Sequence, residues 1–143
     1  MPCGEAGGQS RDSWIAVGNV INNRVGYREW TRYKTQTAII ENTGFDAYSQ
    51  KTIQYENAYK SLSSGKINSH LTEMIHVVAP VYLGLTEDTT NGAVLYYSPK
   101  TQAALADRSS GGYKKTPGWR WHELTRTYPL GVKHDDFAFY KYK

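Results

Sequence analysis

Apolar residues recur in this chain mostly in three- and four-residue steps, which is the spacing of one face of an α-helix. The clearest case is 66–85, where Ile67, Leu71, Met74, Ile75, Val78, Val81, Tyr82 and Leu85 follow one another at that spacing. Pro80 lies inside the pattern and predicts a kink or a division near Val77 to Ala79, because its ring removes a backbone donor. Residues 10–25 predict a second helix, with Ser10 as N-cap, Asp12 at the positive end, and Trp14, Val17, Ile21 and Val25 on one face. Ala16, Ile15 and Val20 widen that face and place the helix at the centre of the domain. Shorter helices are expected over 36–42, ended by Asn42 and Gly44, and over roughly 50–64.

The period changes late in the chain. "AVLYYSP" is the best extended segment, stopped by Pro99. "TQAALADR" offers one or two helical turns, "SSGGYKKTPGW" reads as a glycine-rich loop, and "GVKHDDFAFYKYK" predicts a strand or pair of strands. Neither a repeat nor a linker divides the 143 residues, so the expectation is one domain over 1–143. Its class is mainly α (α+β), with a small late β element.

Composition narrows the function classes. No apolar run is long enough to cross a bilayer, and "MPCGEAGGQS" lacks the basic start and apolar middle of a signal peptide. The single cysteine, Cys3, excludes an internal disulfide and a multi-cysteine zinc site. His70 and His76 do not share a helix face, and neither an H-E-x-x-H nor a G-x-S-x-G pattern occurs, so no metal, cofactor or serine-hydrolase elbow is expected. The net charge of +4 favours an anionic partner, but the basic residues are scattered and do not indicate nucleic acid. Twelve tyrosines and four tryptophans suggest a groove, and since such rings stack on sugar faces and on bases alike they leave the ligand open.

Glycoside cleavage ordinarily needs a protonated carboxylic acid and a second carboxylate. Glu5, among the small residues of "CGEAGG" ahead of the first helix, is the candidate acid. Asp12, Glu29, Glu41, Asp46, Asp88 and Asp107 are candidate partners, and spacing does not choose among them.

Several segments, taken in order, resemble the spore-cortex-lytic (SleB-like) cell-wall hydrolases. "GEAGGQSRDSWIAVGNVINNRV" resembles that family's opening Gly-Glu-Ala and its following helix ending in Asn-Arg-Val. "GFDAY" resembles its central turn, "NAYKSLSSGK" its next helix, "NGAVLYYSPK" its late tyrosine segment, and "KHDDFAFYKY" its closing element. The resemblance implies a lysozyme-like fold that cleaves the bond between N-acetylmuramic acid and N-acetylglucosamine in peptidoglycan glycan strands, commonly as a lytic transglycosylase. It also implies that Glu5 is the catalytic acid and then base, that Tyr96 and Tyr97 line the sugar groove, and that Phe45 and Asp46 form its opposite wall. Ser98, where the family has Asn, completes the substrate-binding set. If 95–97 is a strand, only one of Tyr96 and Tyr97 can face the groove. Asn23 and Arg24 are expected to be structural.

The chain departs from the family at Gly7, Gly8 and Gln9, where Arg-Gly-Glu is usual, and in the charged stretch "GYREWTRYKTQTAII". Only four residues precede Glu5, so either the fold starts differently or the domain is excised from a longer protein. Action in the cell wall or periplasm without a signal peptide implies a phage lysin, a delivered toxin with an immunity protein as partner, or a truncated secreted enzyme. Three rival readings stay open: a muramidase that admits water, a non-catalytic peptidoglycan-binding domain, and a nucleic-acid-binding module.

Overall fold

The computed structural model describes residues 10–45, 53–65, 69–108 and 114–143. These form five α-helices and one three-stranded antiparallel sheet: α1 (Arg11–Arg24), α2 (Gln36–Asn42), α3 (Ile53–Ser64), α4 (Ser69–Tyr82), β1 (Leu95–Tyr97), α5 (Pro99–Arg108), β2 (Leu124–Thr127) and β3 (Ala138–Tyr142). The class is mainly α with a small late β element, as the hydrophobic period predicts.

Helix α1 is the hub and packs against α4, α2 and β1. Ser10 caps it by accepting from the Ser13 amide at 3.3 Å. Trp14, Ala16, Val17, Val20 and Ile21 are buried, with Met74 and Val78 of α4, Ile39 of α2 and Phe139 of β3 in the same core. Gly18 lets α4 come close, since a Cβ there would lie 3.2 Å from Val81 Cγ1.

Three expectations need correction. Pro80 does not divide α4, which runs unbroken to Tyr82. The ring falls in the last turn, where the carbonyls of Val81 and Tyr82 accept from Asn22 at 2.7 Å and Gln36 at 3.1 Å. The chain therefore leaves the helix there, Leu85 is solvent-exposed beyond its end, and Ile75 is exposed on its outer side. Pro99 does not merely stop the extended segment: it opens α5 at the first helical position, a place where its missing N–H is not needed. Finally, residues 124–127 form a strand where none was expected.

The sheet order is β1-β3-β2, so the last strand lies in the middle. Tyr96 pairs with Phe139 and Tyr97 with Ala138, while Arg126 pairs with Tyr140.

Candidate active-site groove

Arg24 and Asn23, at the last turn of α1, organise the region in front of the sheet. The buried Arg24 guanidinium donates from Nε to the Val94 carbonyl at 2.7 Å, and from Nη1 to the Thr43 carbonyl at 3.0 Å and its hydroxyl at 2.9 Å. It also sits 5.0 Å from the ring centres of Trp30 and Phe45. One side chain thus ties α1 to the start of β1 and to the end of α2. Asn23 donates to the Ala93 carbonyl at 2.9 Å and to Asp88 at 2.9 Å.

Asp88 in turn accepts from the Thr90 amide and hydroxyl and from the Gly92 amide. Burial pushes its carboxyl upward, but the hydrogen bonds from Thr90, Asn23 and Gly92 outweigh this and hold it below the ordinary carboxylate value. The loop that delivers β1 is therefore fixed by a charged network.

This scaffold frames a pocket of about 410 Å³. Arg24, Trp30, Thr43 and Phe45 form one wall, and Tyr96, Tyr97, Ser98, Gln102 and Trp119 the other. The pleat of β1 sends its two tyrosines to opposite faces. Tyr96 packs inward, with ring centres 5.8 Å from both Phe137 and Phe139 and 6.2 Å from Phe45. Tyr97 joins an outer cluster, 5.7 Å from Trp119, 6.2 Å from Trp121 and 6.3 Å from Tyr140. Both nevertheless reach the pocket rim. Ser98 accepts from the Thr101 amide at 3.2 Å, so its hydroxyl caps α5 at the edge of the groove.

Of the expected site residues, the structure brings Phe45, Tyr96, Tyr97 and Ser98 to one pocket. Glu5 and Asp46 lie outside the described residues. Among the described residues lining the pocket none is acidic. Glu29 accepts from the Tyr142 hydroxyl at 2.6 Å, Glu41 and Asp107 are exposed on helices, and Asp12 sits in the first turn of α1. None of these four lines the pocket. Among the described residues no group of three or more His, Cys, Asp and Glu could hold a metal ion, and no helix is long and apolar enough to cross a membrane.

Sequence reasoning missed Trp119, Trp121 and Tyr140. Trp119 and Trp121 stand two apart in "GWRWHE", and the one available signal was that alternation running into the "ELTRT" strand. Tyr140 is central to the cluster because β3 is the middle strand, with Trp121 at 5.1 Å and Trp119 at 5.9 Å.

Comparison with known proteins gives one assignment. A family model described as Cell Wall Hydrolase matches residues 8–128, a span that covers both pocket walls and begins after Glu5. No curated protein and no solved structure matches the chain significantly.

Proposed function

The chain belongs to the cell wall hydrolase family, whose activity is peptidoglycan hydrolysis, and from that premise we propose that it cleaves the MurNAc–GlcNAc β-1,4 bond as a lytic transglycosylase. The observation that carries this reading is the groove itself: aromatic rings with polar edges on one side and a buried, hydrogen-bonded arginine on the other. Such walls suit the apolar face and hydroxyl rim of a pyranose. A lytic transglycosylase needs one carboxylate, because the acetamido group of its substrate can stabilise the positive centre.

In this reading Glu5 is that carboxylate. Its carboxyl donates a proton to the glycosidic oxygen as the bond to C1 of the muramic acid breaks. The acetamido group of the same sugar stabilises the positive charge developing at C1. The Glu5 carboxylate then takes the proton of the C6 hydroxyl while that oxygen closes on C1. A 1,6-anhydro sugar forms, Glu5 recovers its proton, and no water is consumed. Phe45, Tyr96, Tyr97 and Trp119 hold the sugar rings, Asp46 is assigned a substrate-binding role beside them, and the Ser98 region closes the rim.

The test is digestion of purified peptidoglycan with mass spectrometry of the soluble products, alongside Glu5→Gln. The expected outcome is anhydro-terminated fragments from the native chain and a loss of at least about a thousandfold in the variant. Reducing-end products would make the enzyme a muramidase. Retained activity in folded Glu5→Gln would remove Glu5 from the mechanism.

A further inference from the structure

Trp119 and Leu95 line a second pocket as well as the first. This neighbour, of about 500 Å³, is otherwise lined by Arg28, Glu29, Gly118, Arg120, Glu123, Leu124 and Tyr142. Its character differs sharply from that of the aromatic groove, because it presents two arginines and two glutamates around a tyrosine.

Part of this charge is held in place. The Arg28 guanidinium lies 3.8 Å from the centre of the Tyr142 ring, and the Tyr142 hydroxyl donates to Glu29 at 2.6 Å. Arg28 itself adopts φ of +46°, a left-handed conformation that a non-glycine residue holds only when its surroundings impose it. Glu123 is different. Among the described residues its ion-pair partner is Arg120 at 3.6 Å, beyond hydrogen-bond length and largely exposed, and the His122 ring nitrogen lies 3.8 Å away. Its carboxylate is thus open to a cation that approaches more closely. A fixed, stacked guanidinium and a loosely paired carboxylate in one pocket are complementary to a zwitterion.

We propose that this pocket binds the peptide stem of the substrate, with a stem carboxylate on Arg28 and the side-chain ammonium of its diamino acid on Glu123. The inference rests on the glycan-cleaving reading above, since Trp119 is the wall that a sugar in the groove and a stem in the second pocket would share. Peptide stems branch from the muramic acid, so a muramic acid seated against Trp119 carries its stem next to the pocket that shares this ring.

The test is calorimetric titration of the full chain with three soluble probes. These are the GlcNAc–MurNAc disaccharide, the same disaccharide carrying its stem tripeptide with a terminal diamino acid, and the free tripeptide. The disaccharide lacks the scissile MurNAc–GlcNAc linkage and so is not turned over. The expected result is that the peptide-bearing disaccharide binds at least about tenfold tighter than the bare one, with the free tripeptide weaker than either. In Glu123→Gln and in Arg28→Gln, each checked for folding by thermal unfolding, the ratio between the first two probes falls to about threefold or less. Equal affinity of the native chain for the two disaccharides would overturn the proposal, as would a ratio that survives both substitutions or no binding of any probe. Tighter binding of the free tripeptide than of its disaccharide conjugate would overturn the shared wall. Preferential binding of the peptide-bearing disaccharide by a chain that releases no anhydro product from whole peptidoglycan would leave this site standing and remove the transglycosylase reading alone.

Discussion

Arg24 carries a charge into the core and uses its fork to join three segments at Val94 and Thr43. Replacing it with Met strips those carbonyls of their donor, and Arg24→Lys cannot restore the geometry because an ammonium is a single point. Arg24→Met is expected to cost about 3 kcal/mol in urea unfolding, with Arg24→Lys recovering less than half. Asp88 acts at the same scale through protons. Its folded carboxyl titrates below the unfolded value of 3.8, so the folded chain binds fewer protons. The stabilisation is complete above that value and drains away as pH falls through it toward the lower folded one. Asp88→Asn should therefore lower the thermal midpoint at neutral pH and flatten its fall between about pH 5 and pH 3.

Among the elements, α1 meets the loop after β2 at one tight point. Gly131 has φ of +80°, and a Cβ there would collide with the Asp12 carboxylate in the first turn of the helix. Gly131→Ala is expected to cost about 2 kcal/mol, read as a lower thermal midpoint, from the positive φ together with the displaced aspartate. The helices were legible because caps and period agree: Ser10 before α1, and Asn42 as the last residue of α2 with Gly44 beyond it, mark ends that local chemistry sets. Strand β2 was not. "LTRT" is four residues with two buried positions, Leu124 and Thr127, and it extends because β3 pairs with it from outside its own sequence. The groove was half legible for the same reason. Phe45, Tyr96, Tyr97 and Ser98 sit in segments with family character, whereas Trp119 owes its place to the folding-back of a loop that carries no period. Pro80 shows the converse, a strong local signal that does not divide α4, which runs on to Tyr82.

For the whole molecule, the net charge of +4 comes from basic residues scattered along the chain. Peptidoglycan is anionic through its stem carboxylates, so charge should help the enzyme reach its substrate without dominating the hold on it. Co-sedimentation with insoluble peptidoglycan is expected to weaken only severalfold between about 50 mM and 500 mM salt. A drop of a thousandfold or more would instead mark a ligand held through many phosphates.

The sheet order carries a consequence for the time at which this molecule becomes dangerous to a wall. Because β3 lies between β1 and β2, Leu95–Tyr97 and Leu124–Thr127 have no partner until residues 138–142 exist. Tyr97, Trp119 and Trp121 touch one another, and Tyr140 of β3 is the ring that packs against all three. On the ribosome the helical hub can gather before the sheet behind the groove, which waits for β3. A chain made only as far as residue 137 holds the helical scaffold and lacks the strand that joins the two edges of the sheet.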